Sequence, residues 1–268
     1  MRRIAALIIL LLPLAFVVTS RAETAADSLI ARILEVDSMQ REQVKDLVLD
    51  AKYVEIDSSD NGETKEKVRL MKKISIKYLA DTALYHEEYL QFFDEGKLKD
   101  QNDLKNEAKE RKEKKRRRGA LDISYPMLRP FDATHRDLYT IEYKGVAPDK
   151  IEGQTCEHFS ITAKTPTDSL INGDYYFETT GLHLVRVDFS PSKLVKRSMF
   201  KMSEFNMSLS YKPNESNYWL PAKFHIQFKA KAMWMIGIKV NGTEDYTNPV
   251  VNSGVADSVF DSDRAKED

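Results

Sequence analysis

Apolar residues at Leu29, Ile30, Ile33 and Leu34 recur at three- and four-residue intervals, with Asp27 or Ser28 near the start. This spacing predicts an amphipathic helix from Ala25 to Leu34. Beyond it the period changes to two. Between Val44 and Ile56, Leu47, Leu49, Ala51 and Tyr53 fall on one face, while Val48, Val54 and Ile56 partly fill the other. Asp57-Ser-Ser-Asp-Asn-Gly62 is a turn cluster, and Val68, Leu70, Ile74, Ile76 and Tyr78 alternate again, so the two runs read as a hairpin with one wet face. Thr82 to Phe93 fits neither period.

After Gly119 the alternation resumes. Leu138 to Tyr143 and Gln154 to Ala163 read as strands, and Asp174 to Glu178 and Leu182 to Phe189 form a hairpin around Thr179-Thr-Gly181. Phe200 to Tyr211 and Tyr218 to Phe228 flank the turn Lys212-Pro-Asn-Glu-Ser216, and Lys231 to Val240 is the last expected strand. Strands arriving roughly every 10 to 20 residues with short turns predict an antiparallel meander. The expected fold is mainly β (α+β): a curved antiparallel sheet or half-open β-barrel with an N-terminal helix, and with room for further helices on the concave face. Strands and helices do not alternate, which excludes a parallel nucleotide-binding sheet.

The N-terminus predicts export. Arg2 and Arg3 precede an apolar run from Ile4 to Val18, and Thr19-Ser20-Arg21-Ala22 places small residues for cleavage after Ala22. Residues 1–22 therefore read as a signal peptide, the alternative being an uncleaved anchor. Cys156 is the only cysteine, so neither an internal disulfide nor lipidation at the cleavage site is available. Asn206, Asn214 and Asn241 head glycosylation sequons that would suit a eukaryotic secreted protein, but a chain without disulfides points to a bacterial periplasm. Residues 23–250 are expected to form one domain with a basic insertion at about 97–118. Residues 251–268, small and acidic from Ser253, are expected to be a disordered tail.

Composition narrows the function classes. With 42% hydrophobic and 31% charged residues, the 268-residue chain is neither disordered, collagenous nor polytopic. Without the signal arginines it carries 38 basic and 42 acidic residues, a balance of −4 that argues against nucleic acid. The local exception is Lys109 to Arg118, with eight basic and two acidic residues and no apolar one. Such a stretch is a solvated helix or a mobile loop. Its residues Lys114, Lys115, Arg116, Arg117 and Arg118 are candidates for contact with an anionic lipid surface or an acidic partner.

No catalytic constellation emerges, and neither a cofactor nor a metal site is expected. There is no G-x-S-x-G, phosphate loop or G-x-G-x-x-G, and His86-Glu87-Glu88-Tyr89 lacks the second histidine of a zinc helix. Cys156 reads as a buried structural thiol. What stands out is the Met and aromatic content of the last third of the chain. The apolar faces of four strands nominate Leu70, Ile74, Ile76, Tyr176, Phe200, Met202, Met207, Phe224 and Trp234 as lining a cavity for a flexible apolar ligand. The same pattern would also serve a plain core packed under the helix.

Leu138-Tyr-Thr-Ile-Glu-Tyr-Lys-Gly145, Gly153-Gln-Thr-Cys-Glu-His-Phe-Ser-Ile161, Asp174 through Thr180-Gly181 to Arg186, and Tyr218-Trp-Leu-Pro221 follow one another in an order that resembles the outer-membrane lipoprotein-sorting proteins, the periplasmic lipoprotein carriers. The resemblance spans roughly residues 25 to 245. It implies a half-open barrel with helices across its mouth, holding acyl chains of a lipoprotein or lipid and performing no catalysis. The insertion from Lys97 to Arg118 departs from that pattern. The sequence thus predicts a monomeric periplasmic carrier, with a sealed, partner-docking envelope module as the alternative.

Overall fold

The computed structural model describes residues 25–58, 64–79, 83–118, 127–167, 169–194, 196–197, 200–232 and 236–261. For residues 58, 114–118, 197, 232 and 236 the backbone alone is described. The expected signal peptide at 1–22 lies outside these residues. A helix, α1, spans 25–43 and buries Ile30 and Ile33 at 3% and 1% exposure. It is longer than the apolar spacing predicts. The added turns are held by the Asp37–Arg41 pair at 2.6 Å. Gln40 adds a distant anchor, donating to the Trp219 carbonyl at 3.0 Å and accepting from the Trp219 N–H at 2.9 Å.

Twelve strands follow: β1 (Asp46–Ser58), β2 (Thr64–Tyr78), β3 (Ala83–Asp94), β4 (Lys97–Leu98), β5 (Tyr139–Val146), β6 (Cys156–Ala163), β7 (Ile171–Glu178), β8 (Leu184–Pro191), β9 (Lys196–Arg197), β10 (Phe200–Pro213), β11 (Trp219–Ala232) and β12 (Ile236–Val251). They form one antiparallel sheet, β4-β3-β2-β1-β12-β11-β10-β8-β7-β6-β5, with β9 on β10. It consists of two meanders, β1–β4 and β5–β12, joined where the last strand pairs with the first. Strands β4 and β5 remain edges, so the barrel is half open as expected.

Several boundaries differ from expectation. Thr82 to Phe93 fits neither period, yet Ala83–Asp94 is strand β3; a bulge at Met71/Lys72 shifts the register halfway along its pairing with β2 and disrupts the alternation. Lys231 to Val240 is not one strand, because β11 ends at Ala232 and β12 starts at Ile236. The expected tail is ordered over its described residues, 251–261. Asp257–Phe260 forms a 3₁₀ turn that buries Phe260 to 1% exposure, and Asp46 accepts from the Ser253 and Gly254 amides.

One face of the sheet, here called inner, carries the core. Leu47, Leu49 and Ala51 pair with Ile76, Ile74 and Lys72, while Phe159 and Tyr175 continue the face on the second meander. α1 covers the middle. The segment 127–138 covers the second meander, where Phe131 packs edge-on to Tyr175 at 5.0 Å and the Tyr175 hydroxyl donates to the Met127 carbonyl at 3.0 Å. The basic insertion forms helix α2 (Gln101–Arg118) against β3. Asp100 caps its start, accepting from the Asn102 and Asp103 amides at 2.8 and 2.9 Å.

Candidate functional site

Cover on the inner face is uneven. Ile74, Ile76 and Met207 are sealed in the core with α1, at 0%, 0% and 4% exposure, and Leu70 is buried to 1%. Toward the start of β10 the inner positions loosen, while their β11 partners Phe228 and Ala230 stay buried at 6% and 4% exposure. Phe200, Met202, Phe205, Phe224 and Ile226 are half-buried, aligned by the pairings Phe205↔Phe228, Met207↔Ile226 and Leu209↔Phe224. Phe205 meets Phe228 edge-on at 6.0 Å.

Beside this apolar stretch the inner face turns ionic. Lys72 replaces the apolar residue that the period of β2 calls for between Leu70 and Ile74, and it is 6% exposed. Its ammonium lies 2.8 Å from Glu87 Oε1 and 2.5 Å from Glu244 Oε1. The Tyr85 and Tyr89 hydroxyls donate to the two oxygens of Glu87 at 2.9 and 3.0 Å. Burial alone would favour neutral Lys72, but the carboxylates of Glu244 and Glu87 outweigh it and raise its pKa.

The insertion reaches toward this cluster. Leu104 of α2 is 6% exposed, and the Arg111 guanidinium lies 4.9 Å from the centre of the Tyr53 ring while donating to Glu107 at 2.6 Å. Burial pushes the Tyr53 hydroxyl up to about 12, with Glu55 adding to the shift. A stretch without apolar residues therefore still contributes to packing, because the stem and flat head of Arg111 cover an aromatic face.

The candidate cavity residues do not all converge. Tyr176 lies on the opposite, outer face: Tyr175 and Phe177 point into the core, and the period of two turns the residue between them outward. There it stacks on His158 at 4.7 Å and packs beside Cys156, Val185 and Trp219. Trp234 lies outside the described residues, as do the side chains of Lys114, Lys115, Arg116, Arg117 and Arg118, whose backbone forms the last turns of α2. Cys156 is fully buried, and burial together with Glu178 pushes its thiol up to about 11.

Sequence reasoning missed a hollow of about 460 Å³ on the outer face. It lies where β8 and β10 part and is lined by polar residues of β6, β7, β8, β10 and β11, among them Asp174, Arg186, Asp188, Asn206, Ser208 and His225. Their outward register was legible from the alternation; their proximity needed the strand order. Among the described residues no group of three or more His, Cys, Asp or Glu could hold a metal ion, and no helix is long and apolar enough to cross a membrane.

No family model and no curated protein matches the chain. Solved structures do. The chain is similar to an outer membrane lipoprotein-sorting protein domain from Vibrio parahaemolyticus, at 10% identity over 86% of this chain and 97% of that one, with a TM-score of 0.39. It is also similar to a DUF1329 family protein from Desulfovibrio piger, at 13% identity over 89% and 97% of the two chains and a TM-score of 0.39. A LolA superfamily protein from Nitrosomonas europaea aligns at 9% identity over 85% and 95%, with a TM-score of 0.35.

Proposed function

We propose that the chain is an exported, non-catalytic carrier that holds the acyl chains of a lipid or lipoprotein against the inner face of its half-open sheet. The observation that carries this reading is the uneven cover of that face: Phe200, Met202, Phe205 and Ile226 stay half-buried beside a core in which Ile74, Ile76 and Met207 are sealed with α1. Half-buried aromatic and Met side chains in a row accommodate a flexible apolar ligand at little packing cost. The ionic cluster of Lys72, Glu87 and Glu244 flanks the stretch and suits the polar end of an amphiphile. The cationic end of α2 would bring the carrier to an anionic membrane surface. Periplasmic location and a single domain over 23–250 belong to the same reading.

The alternative, a sealed envelope module, draws on the complete burial of Ile74 and Ile76. Native mass spectrometry of the chain from Glu23, purified without detergent and titrated with a triacylated lipopeptide, separates the two. Stoichiometric adducts are expected of a carrier; an unliganded mass throughout the titration contradicts it.

A further inference from the structure

The outer-face hollow is built by register. Ser160 pairs with Asp174, Asp174 with Asp188, Asp188 with Ser208, and Ser208 with His225, so one polar row crosses five strands. The pairing of β8 with β10 ends at Phe189↔Met207, and beyond it the strands part between Ser190 and Asn206. Gly173 lies in the floor, where β7 and β8 run so close that a Cβ would stand 2.6 Å from the Asp188 carbonyl oxygen.

Two carboxylates directly opposite each other disfavour a sheet. Here each carboxylate has a neighbour that can donate to it, although Arg186 is shared with Glu152 at 3.9 Å. Arg186 donates to Asp188 Oδ1 at 2.8 Å, and His158 Nε2 lies 2.8 Å from Asp174 Oδ1. Among the described residues no hydrogen bond engages Oδ2 of either aspartate. The hollow therefore offers acceptors in the aspartates, donors in Arg186 and Asn206, and two-way groups in Ser160, Ser190 and Ser208. Tyr176, stacked on His158, pairs with Arg186 in the next cross-strand row.

We propose that this hollow binds a neutral saccharide through its hydroxyls. Carboxylate, amide and guanidinium groups grip adjacent hydroxyls in pairs, and a volume of about 460 Å³ lies within the range of small-ligand sites. Donors, acceptors and two-way hydroxyls side by side suit a many-hydroxylated ligand, whose groups both donate and accept. The proposal is independent of the carrier reading, since the site lies on the other face.

The test is titration of the full chain with maltose, cellobiose and N,N′-diacetylchitobiose at millimolar concentration, read by calorimetry and saturation-transfer NMR. At least one is expected to bind. Asn206→Ala, at an exposed position, should weaken binding about tenfold, and Ser208→Trp should fill the hollow and abolish it. Thermal melts and lipopeptide uptake, run on both variants, separate loss of this site from misfolding and from failure of the carrier reading. No binding by any of the three sugars, or binding undiminished in a folded Ser208→Trp variant, would overturn the proposal, as would a preference for spermidine over all three.

Discussion

Lys72 and Glu244 meet diagonally across strand β1 on the inner face, ammonium to carboxylate at 2.5 Å, both nearly excluded from water. Lys72 pairs with Ala51 and Glu244 with Tyr53, so the ion pair bridges the first meander to the last strand at the seam that joins the two halves. Removing one member strands the other charge. Lys72→Met is expected to cost about 3–5 kcal/mol in urea unfolding. The triple variant Lys72→Met, Glu87→Gln, Glu244→Gln should recover much of that loss, because it leaves no buried charge unpaired. Equal stability for single and triple variants would mean that the ammonium is not electrostatically held.

Gly173 and Gly242 separate two kinds of crowding. A Cβ on Gly173 would press on backbone, the Asp188 carbonyl at 2.6 Å, whereas a Cβ on Gly242 would meet the Tyr53 hydroxyl at 2.5 Å, the far end of a side chain. Gly173→Ala is expected to lose about 1–3 kcal/mol. Gly242→Ala should lose less, and its cost should shrink in a Tyr53→Ala background, a coupling with no counterpart at Gly173. Thermal melts of the single and double variants check this.

Burial of Cys156 gives a prediction at alkaline pH. Its thiol is raised to about 11, so the native state keeps a proton that the unfolded chain loses near its ordinary value of about 8.5. That contribution is complete below the unfolded pKa and declines as pH rises toward the folded one. Tyr53, raised to about 12, acts in the same direction between about 10 and 12. Denaturation midpoints should therefore fall steadily from pH 9 to pH 12, by less in Cys156→Ala, and native Cys156 should resist iodoacetamide at pH 8 until denaturant is added.

His183 behaves oppositely. It stacks on Trp219 at 5.5 Å, and burial lowers its pKa against the raising effect of Glu178. The neutral ring is favoured in the native state, so this contribution is present above the unfolded pKa of about 6.5 and is lost as pH falls through the lower folded value. In a Trp234→Phe background, Trp219 fluorescence should be quenched with a midpoint below 6.5, and His183→Gln should abolish the transition. A midpoint at or above 6.5 would contradict the burial account.

The strands were legible because alternation survives in any half-wet sheet. Leu47, Leu49 and Ala51, or Phe159 and Ile161, announce their face without help from the rest of the chain. Where a partner distant in sequence sets the structure, the pattern was silent. Turns of α1 beyond Leu34 have little apolar signal and depend on Gln40 finding the Trp219 backbone. The inward turn of Arg111 depends on Tyr53, far away in sequence. Tyr176 was legible and was misassigned: it lies between two inward aromatics and must face the other way. Lys72 was legible too, as a cation among apolar positions of one strand face, and only its partners were hidden.

The central claim, that acyl chains lie along the half-buried inner positions of β10 and β11, is tested most directly by photo-crosslinking. A diazirine-bearing fatty acyl lipopeptide would be irradiated with the folded chain and its adducts mapped by peptide mass spectrometry. The account predicts adducts on inner positions of β10 and β11, at Phe200, Met202, Phe205 and Ile226, competed away by unlabelled lipopeptide. Adducts spread over the outer face, or labelling that competitor leaves unchanged, would contradict it.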